Sequence, residues 1–462
     1  MINVVKIDTP TLGDRSYLAH DGEVGLVVDP QRDIDRITAL AAGLGVRITH
    51  VAETHMHNDY VSGGLALCRA CGATYLVGAA EPAGFARTPV SDGDLIGVGD
   101  AFRVRVAATP GHTFNHLAYV LETEDGAAGV FTGGSLLFGS TGRTDLLGAD
   151  HAVALARAQH ASARRLAREL PDSAEVFPTH GFGSFCAATQ AEAQSSTIGR
   201  EKLSNAVLTM DEEAYVEALL AGLDTWPAYY ARMGPANLAG ADAPDLAPPR
   251  RATAAELRRR IDVGEWVVDL RDRVVFAAGF LPGSFSFPLN GSFATYLGWL
   301  LPPGVPVTLL GETPDQVAQA QRELVRIGID RPAAAASGAP RDWAGGRPLA
   351  SLRMVRFTDL AAAMDRDGAT GLVVLDVRQR LEWEAGHIEG AVHIPLHDLP
   401  GQLDEVPPGA VWVHCRTGYR ATVAASLLAA CGRDVISVDD EIGNAVTAGL
   451  PMVPSQAQEA RG

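Results

Sequence analysis

The N-terminal part of the chain alternates short apolar runs with amphipathic stretches. Apolar runs bounded by turn residues predict strands, and they lie at Val24–Asp29, Ile48–Thr54, Thr74–Val77, Phe102–Thr109, Ala118–Leu121, Gly129–Phe131 and Glu175–Pro178. Apolar residues at helical spacing predict helices at Ile34–Gly43, Gly63–Cys71 and Ala152–Glu169. Many strands with helices between them indicate a layered α/β domain.

The pattern changes in the middle of the chain. Leu203–Arg232 is more helical, and Pro235–Ala252 is rich in Pro, Ala and Gly, which predicts a linker. Beyond the linker the chain repeats itself, because Trp266–Leu289 matches Leu372–Leu396. The matched pairs, each 107 residues apart, are Asp269 and Asp376, Arg271 and Arg378, Gly279 and Gly386, Gly283 and Gly390, and Pro288 and Pro395.

We therefore expect an α/β protein with three domains. Residues 1–235 form the first domain with a helical tail, and residues 236–252 form the linker. Residues 253–347 and 353–458 form two smaller α/β domains with parallel sheets, one for each copy of the repeat.

Charge and segment composition restrict the partners. The net charge is −17, from 38 Lys and Arg against 55 Asp and Glu, which argues against nucleic acid or an anionic membrane as the main partner. The N-terminus lacks the pattern of a signal peptide, and no apolar run reaches the roughly 18 residues that a membrane span needs. We expect a cytoplasmic protein and leave a homo-oligomer open.

The densest polar cluster, Thr54–Tyr60, follows the predicted strand at Ile48–Thr54, where α/β domains place ligands. Two further histidines lie at the ends of later predicted strands, in the segments TPGHT and FPTHG. Neutral imidazole suits zinc or iron, and a carboxylate adds charge compensation. The sequence therefore predicts a metal site, with candidate ligands His55, His57, Asp59, His112 and His180.

One of the five cysteines has the surroundings of a nucleophile. Cys415 lies between the apolar run VWVH and an Ala-rich predicted helix. The N–H groups at that helix N-terminus, together with Arg416 and Arg420, would stabilise a thiolate. The other cysteines are interpreted as core thiols, and they are Cys68, Cys71, Cys186 and Cys431.

The N-terminal motifs THMHNDYVSGG, TPGHTFNHLAYVL and FPTHG resemble those of the metallo-β-lactamase fold. Within that fold, the segments Gly142–Leu147 and Pro227–Asn237 resemble persulfide dioxygenases, the second those that are fused to rhodaneses. The resemblance implies an αββα sandwich and a 2-His-1-carboxylate iron site. It also implies that Arg143 and Thr144 bind substrate, because a guanidinium pairs well with the carboxylate of a thiol carrier.

The segment CRTGYR resembles the active loop of rhodaneses, which are sulfurtransferases, and Asp376, Arg378 and the run GHIEGA support that family. A cysteine phosphatase is the competing interpretation, but phosphatase loops place five residues between Cys and Arg, and here there are four. The first copy of the repeat has Gly311–Pro314 in this place, without a cysteine, and is expected to be a structural or docking domain. The resemblance implies substrate contacts by Thr417, Gly418 and Tyr419.

Two residues depart from the pattern of the metallo-β-lactamase fold. Tyr60 stands where a ligand histidine is usual, and Gly134 stands where a bridging carboxylate is usual. We therefore expect one metal ion, Fe(II) by preference and Zn(II) as the alternative. Its expected ligands are His55, His57 and His112, with His180 and Asp59 forming a poor second site. Restoring the carboxylate by Gly134→Asp should strengthen iron binding if the backbone accepts a side chain.

These features lead to one main functional hypothesis. The metal domain oxidises a low-molecular-weight thiol persulfide to sulfite with O₂, and Cys415 carries sulfur to or from an acceptor thiol, sulfite or thiosulfate. The first alternative is a metal-dependent thioester or related hydrolase fused to a rhodanese. The second is a non-catalytic metal domain that supports the sulfurtransferase.

Overall fold

A computed structural model describes residues 2–189, 193–367 and 371–454 of the chain. Two compact units are present: Met1–Asp245 with Arg322–Asp330, and Leu246–Gln321 with Arg331–Gly462. In the described residues, no helix combines the length and the apolar character needed to cross a bilayer.

The first unit contains two six-stranded sheets, ordered β1-β2-β3-β4-β5-β6 and β12-β11-β10-β9-β8-β7. The strands are β1 Asn3–Thr9, β2 Asp14–His20, β3 Val24–Val28, β4 Arg47–Ala52, β5 Thr74–Gly78, β6 Thr88–Val90, β7 Leu95–Val98, β8 Phe102–Ala108, β9 Leu117–Thr123, β10 Gly126–Gly133, β11 Glu175–Pro178 and β12 Ser196–Thr197. The helices are α1 Asp35–Leu44, α2 Gly64–Cys71, α3 Ala149–Glu169, α4 Ile198–Ser204, α5 Ala206–Thr209, α6 Glu212–Ala221 and α7 Tyr230–Ala239.

Three hydrophobic cores define the layers of this unit. One core lies between the two sheets and includes Tyr17, Val104 and Phe131. Helices α1 and α2 cover the outer face of the first sheet, and α3 and α6 cover that of the second. Neighbouring residues of one strand point to different cores, as Leu18 and Tyr17 do, because side chains alternate along a strand. This arrangement confirms the expected αββα sandwich.

The second unit contains two parallel sheets, ordered β14-β13-β15-β16 and β17-β22-β21-β18-β20, and the small antiparallel pair β19-β23. The strands are β13 Trp266–Asp269, β14 Phe285–Ser286, β15 Val307–Gly311, β16 Ala334–Ser337, β17 Arg353–Val355, β18 Leu372–Asp376, β19 Gly386–Ile388, β20 Val392–His393, β21 Ala410–His414, β22 Val435–Val438 and β23 Met452–Pro454. The helices are α8 Ala254–Asp262, α9 Arg273–Ala278, α10 Phe293–Leu300, α11 Pro314–Arg326, α12 Pro340–Ala344, α13 Phe357–Asp367, α14 Arg380–Glu384, α15 Tyr419–Ala430 and α16 Gly443–Thr447, with 3₁₀ turns at Leu399–Gly401 and Leu403–Glu405. Helix α11 belongs to this unit only up to Gln321.

The internal repeat is visible in hydrogen bonds as well as in sequence. The Arg271 guanidinium donates to the Asp269 carboxylate and to the Gly279 carbonyl. In the second copy, Arg378 makes the same bonds to Asp376 and to the carbonyl of Gly386. Each buried ion pair therefore fixes the loop that follows its strand, β13 in the first copy and β18 in the second.

The predicted linker begins too early. Helix α7 runs through Pro235 to Ala239, although a proline inside a helix removes one backbone hydrogen bond. Met233 and Asn237 of this helix are buried, so packing outweighs that loss. The described residues after the helix have no regular structure until α8 begins at Ala254. Our domain limits stay proposals, and residues 455–458 of the last domain lie outside the described residues.

Candidate metal centre and cysteine loop

The loop after β4 carries His55, His57 and Asp59 into the interior, where all three side chains are buried. The side chain of Asn237, on α7, holds this loop in place. Its amide donates to the carbonyl oxygens of His57 at 2.8 Å and Tyr60 at 2.9 Å. The helical tail recognised in the sequence thus positions the histidine loop.

Three histidines form the tightest group in the site. One ring nitrogen from each of His55, His112 and His180 lies within 4.8 Å of the other two. The Nε2 atoms of His55 and His180 are 3.4 Å apart. Two nitrogens bound tetrahedrally to one zinc at 2.0–2.1 Å are also about 3.4 Å apart. His180 therefore lies where it can share a metal ion with His55.

Hydrogen bonds fix the orientation of these rings. Nδ1 of His55 contacts the Thr54 hydroxyl at 2.9 Å, and Nδ1 of His112 donates to the carbonyl of Arg143 at 2.7 Å. Nε2 of His112 is buried and has no hydrogen-bond partner. Burial lowers the pKa of His112 to about 3, and burial with the neighbouring histidines lowers the pKa of His55 well below its usual value. Both rings are therefore neutral, as metal ligands must be.

His57 is oriented differently. Its Nε2 lies 3.0 Å from the Tyr60 hydroxyl and 3.3 Å from carboxylate oxygens of both Asp29 and Glu53. Burial alone lowers the pKa of His57, but the two carboxylates outweigh burial and raise it to about 9. Nε2 therefore carries a proton, and the buried Nδ1 atom has no hydrogen-bond partner.

Two carboxylates face His180 on the side away from His55. Its Nδ1 lies 2.9 Å from Oδ1 of Asp14 and 3.0 Å from Oδ2 of Asp59. Burial and the charge of Asp59 raise the pKa of Asp14 to about 8. Burial alone raises the pKa of Asp59, but His180 outweighs burial and lowers it. Asp14 was missed in the sequence because it belongs to no motif.

His112 fills the space beside Gly134. A Cβ atom at Gly134 would lie 2.3 Å from Cδ2 and 2.6 Å from Cγ of His112. The sequence left open whether Gly134 has a positive φ, and it does not. The obstacle to a side chain is therefore the buried His112 ring, so we expect Gly134→Asp to weaken iron binding rather than strengthen it.

His116 has a structural role. Its Nε2 accepts from the backbone N–H of Gly134 at 3.0 Å, and its Nδ1 contacts the Thr109 hydroxyl at 2.9 Å. Both ring nitrogens are therefore occupied. The ring stacks on His55 with centroids 4.8 Å apart, which helps to hold that ring in place.

The donor atoms suit a transition metal. Several buried atoms of the site have no hydrogen-bond partner, and they include Nδ1 of His57, Nε2 of His112, Oδ1 of Asp59 and Oδ2 of Asp14. Buried polar atoms without partners are costly unless a ligand or ion satisfies them. The grouping differs from the one expected from sequence, since His180 joins His55 and His112, while His57 groups with Asp59 and His180.

Arg143 and Thr144 are hydrogen-bonded within the fold. The Arg143 guanidinium binds both carboxylate oxygens of Asp145, at 2.7 and 2.8 Å, and donates to two backbone carbonyls. Thr144 is buried and donates to the carbonyl of Ala152 at 3.1 Å. The substrate contact expected from the family resemblance stays a prediction.

Cys415 follows β21 directly and is 1% exposed. The backbone N–H of Gly418 donates to its Sγ at 3.2 Å. Gly418 has a φ of +100°, and a Cβ there would lie 2.0 Å from Oδ1 of Asp439, so the loop requires glycine. The loop therefore aims a backbone donor at the sulfur.

The two arginines of the loop differ in their surroundings. Arg420 is buried and binds both carboxylate oxygens of Glu382, a residue that the sequence analysis missed. Arg416 and Thr417 are exposed, and Tyr419 is half-buried. Arg420 therefore acts beside Cys415 as half of an ion pair rather than as a free cation.

The first copy of the repeat contributes to the surroundings of this loop. The Tyr296 ring, on α10, lies 5.8 Å from the Tyr419 ring, and Arg273 donates to Asp439 at 2.6 Å. Strand register places Leu310 opposite Asp269, as it places His414 opposite Asp376. Gly311 therefore occupies the position of Cys415 in the first copy.

The remaining cysteines fall into two groups. Cys186 is buried, and Cys68 and Cys71 are partly buried, with burial raising the pKa of each thiol. Cys431 is exposed at the end of α15, so its interpretation as a core thiol is wrong.

Comparisons with known proteins agree with this geometry. Residues 357–442 match the model of the rhodanese-like domain family. A crystal structure of a metallo-β-lactamase from Staphylococcus aureus subsp. aureus COL has 26% sequence identity and a TM-score of 0.65, covering 73% of this chain and 99% of that chain. The chain therefore combines a metallo-β-lactamase-fold region with a rhodanese-like domain.

Two curated relatives match the N-terminal region. Human mitochondrial persulfide dioxygenase ETHE1 is 28% identical over 213 residues, which are 46% of this chain and 75% of that protein. Hydroxyacylglutathione hydrolase from Polaromonas sp. is 33% identical over 172 residues, which are 36% of this chain and 62% of that protein. The two relatives carry different activities, so similarity alone does not choose between oxidation and hydrolysis.

Proposed function

We propose that the protein is a sulfur-metabolism enzyme that oxidises a low-molecular-weight thiol persulfide to sulfite and transfers sulfur through Cys415. One observation carries the proposal: a single chain holds a buried histidine group able to bind a metal and a rhodanese-like domain. The similarity to human persulfide dioxygenase supports the oxidation step. The small-molecule partners are the persulfide, sulfite and thiosulfate.

The proposed oxidation is RSSH + O₂ + H₂O → RSH + SO₃²⁻ + 2H⁺. The outer sulfur of the persulfide is oxidised, and both atoms of O₂ are reduced. We propose Fe(II) as the metal, with His55, His112 and His180 as the residues that would hold it. A bound iron would supply the redox chemistry for O₂ and a Lewis acid for the sulfur.

The carboxylate for this centre is proposed to come from Asp59. A 2-His-1-carboxylate set is typical of iron centres that react with O₂, and Gly134 cannot supply the acid. Oδ1 of Asp59 is buried without a hydrogen-bond partner, and Asp59 offers a ligand atom together with His57 and His180, so binding a metal with His55 and His112 would require its side chain to move. His57 stays close by, its Nε2 held by Asp29 and Glu53.

The proposed transfer step is Cys–S⁻ + S₂O₃²⁻ → Cys–S–S⁻ + SO₃²⁻ at Cys415. The sulfane sulfur of thiosulfate bonds to Sγ, and sulfite leaves with the electron pair of the broken S–S bond. The N–H of Gly418 stabilises the anionic sulfur, because it already donates to Sγ at 3.2 Å. The exposed Arg416 and Thr417 are proposed to bind the incoming thiosulfate anion. Tyr419 and the Arg420–Glu382 ion pair are proposed to line the inner side of the site.

Thioester hydrolysis is the second candidate, and it is favoured by the similarity to hydroxyacylglutathione hydrolase. Zinc bound by three imidazoles activates water without a carboxylate ligand. The same three histidines, without Asp59, would then be sufficient. Zinc rather than iron is the metal that this alternative predicts.

The two candidates are separated by metal analysis and substrate choice. The protein is purified without O₂, its iron and zinc are measured, and glutathione persulfide is compared with a glutathione thioester. We expect bound iron, with sulfite formed from the persulfide and no thioester cleavage. Bound zinc with thioester cleavage and no sulfite would replace the oxidation by the hydrolysis. The Cys415→Ser variant serves as control, because sulfite formation at the histidine centre should not need that thiol.

A further inference from the structure

Helix α10 of the first copy places a row of stacked rings beside the cysteine loop. The centroid of the Tyr296 ring lies 5.8 Å from that of the Tyr419 ring. Tyr296 also stacks on Trp299, with centroids 6.2 Å apart and 10° between the ring planes. Trp299 is buried and stacks in turn on His397 of the second copy at 4.5 Å. These contacts restrict the Tyr296 ring and keep it next to the loop.

Hydrogen bonds join the two copies at the loop and at α15. The backbone N–H of Ser286, in the first copy, donates to the hydroxyl of Ser426, on α15, at 3.0 Å. Arg273 donates to Asp439 at 2.6 Å, and Asp439 packs so closely against Gly418 that the loop requires glycine there. The first copy is therefore attached both to the loop of Cys415 and to the helix that follows it.

The hydroxyl group of Tyr296 lies within electrostatic reach of the sulfur. Burial raises the pKa of Tyr296, and the charge of Arg420 opposes that rise. The charges of Glu382 and Cys415 add to it, and the pKa stays above its usual value. The hydroxyl group therefore keeps its proton at neutral pH. A protonated phenol beside an anionic sulfur is a hydrogen-bond donor.

A persulfide on Cys415 needs more donors than the thiolate does. The N–H of Gly418 donates to Sγ at 3.2 Å, which is the inner of the two sulfurs. The outer sulfur carries the negative charge of the persulfide, and a donor to a charged acceptor makes a strong hydrogen bond. Arg420 is already bound through two nitrogens to the carboxylate of Glu382.

We propose that Tyr296 is a catalytic residue supplied by the first copy, with its hydroxyl group donating to the outer sulfur of the Cys415 persulfide. The bond stabilises negative charge on that sulfur as the persulfide forms, and no proton is transferred. The copy that lacks a cysteine then has a part in the chemistry of the second copy. The inference rests on the proposed sulfur transfer at Cys415 and not on oxidation at the metal centre.

The experiment measures how much sulfur Cys415 holds at equilibrium. Full-length Tyr296→Phe and Tyr296→Leu proteins are mixed, without O₂, with glutathione persulfide and glutathione at fixed ratios. Peptide mass spectrometry after alkylation gives the persulfide fraction at Cys415. The reaction is Cys–S⁻ + GSSH → Cys–S–S⁻ + GSH, in which the outer sulfur bonds to Sγ and the glutathione thiolate leaves and takes up the proton. Loading from thiosulfate is measured in parallel.

Two further variants remove a buried hydroxyl group elsewhere. Tyr419→Phe is included because the Tyr419 hydroxyl is buried without a hydrogen-bond partner. Tyr215→Phe is the control, because its buried hydroxyl contacts Thr141 at 2.8 Å in the first unit. Circular dichroism checks that each variant folds.

We expect Tyr296→Phe to lower the equilibrium constant for persulfide formation about 10- to 100-fold, the effect of one hydrogen bond to a charged group. Tyr419→Phe should lower it less, and Tyr215→Phe should match wild type. A wild-type value in Tyr296→Phe, with a loss only in Tyr296→Leu, would overturn the proposal, because the ring alone would then matter. A larger loss in Tyr419→Phe than in Tyr296→Phe would overturn it as well.

The two sulfur donors separate this proposal from the proposed function. Wild type that takes sulfur from glutathione persulfide but not from thiosulfate would count against the proposed transfer step, while the Tyr296 comparison still stands. Wild type with no persulfide at Cys415 from either donor would overturn both.

Discussion

Gly134→Asp should weaken the metal centre although it restores the carboxylate that the fold usually has. A Cβ at Gly134 would lie 2.3 Å from Cδ2 of His112, about 1 Å closer than van der Waals contact permits. The ring cannot turn aside freely, because its Nδ1 is bonded to the Arg143 carbonyl and a Cβ at Gly142 would lie 2.6 Å from that nitrogen. The Cβ therefore pushes on a ring that is enclosed on both sides.

The expected losses of metal affinity and of stability follow from this overlap. Metal–ligand distances tolerate only about 0.2 Å, so a shift of about 1 Å removes His112 as a ligand. Overpacking a buried site costs about 1–3 kcal/mol, which lowers the Tm of a unit of this size by about 2–12 °C. Gly134→Ala introduces the same Cβ without a charge and should show the same loss of stability.

The assay compares Tm and metal affinity in wild type, Gly134→Asp, Gly134→Ala and Gly78→Ala. Gly78 is the matched control, because a Cβ there meets its nearest atom at 3.5 Å, an ordinary contact. We expect both Gly134 variants to lose at least about tenfold in iron affinity and Gly78→Ala to resemble wild type. Tighter iron binding by Gly134→Asp would refute the argument from His112.

Three further predictions concern single side chains. Cys415→Ser should abolish sulfur transfer from thiosulfate to cyanide and leave the metal content unchanged. Retained transfer would show that another group is the nucleophile. Alanine substitution should remove most bound metal, measured by elemental analysis, at each of His55, His112 and His180. Burial raises the pKa of Glu382, but its bond to Arg420 outweighs burial and lowers it, so the ion pair stabilises the fold above the usual carboxyl pKa and is lost as pH falls through the lowered value. Glu382→Gln should therefore lower stability by about 1 kcal/mol at pH 7 and by much less at pH 3, and a pH-independent difference in Tm would contradict this.

The order of helices and strands was predictable because the spacing of apolar residues along the chain shows which side chains are buried. The predicted strands and helices of the first unit are present, with ends shifted by a few residues. Strands β1, β2, β6, β7 and β12 were missed. In β1 and β2 the reason is that Asn3–Thr9 and Asp14–His20 mix polar residues with apolar ones. The missed β2 begins at Asp14, so the carboxylate beside His180 was missed with it.

The predictable part of the site is the part that local motifs define. Histidines at strand ends meet because those ends share one edge of the sandwich, and the cysteine loop is fixed by its six residues. Pairing across the fold is not encoded locally. Nothing near Arg143 in the sequence indicates that it also donates to the carbonyls of Phe185 and Asp224. Nothing near Glu382 indicates its pairing with Arg420.

The rotation of each histidine also depends on distant neighbours. His57 turns its Nε2 towards Asp29 and Glu53, which come from different strand ends. His180 joins His55 because Asp14 and Asp59 hold its other nitrogen. Sequence spacing alone therefore identified the ligand candidates but not their grouping.

The most direct test of the proposed function is simultaneous measurement of O₂ uptake and sulfite formation by the iron-loaded protein with glutathione persulfide. The balanced reaction predicts one O₂ consumed for each sulfite formed in wild type and in Cys415→Ser. It also predicts loss of both signals in His112→Ala. Sulfite formed without O₂ uptake, or no O₂ uptake by protein shown to hold iron, would contradict persulfide oxidation at this centre.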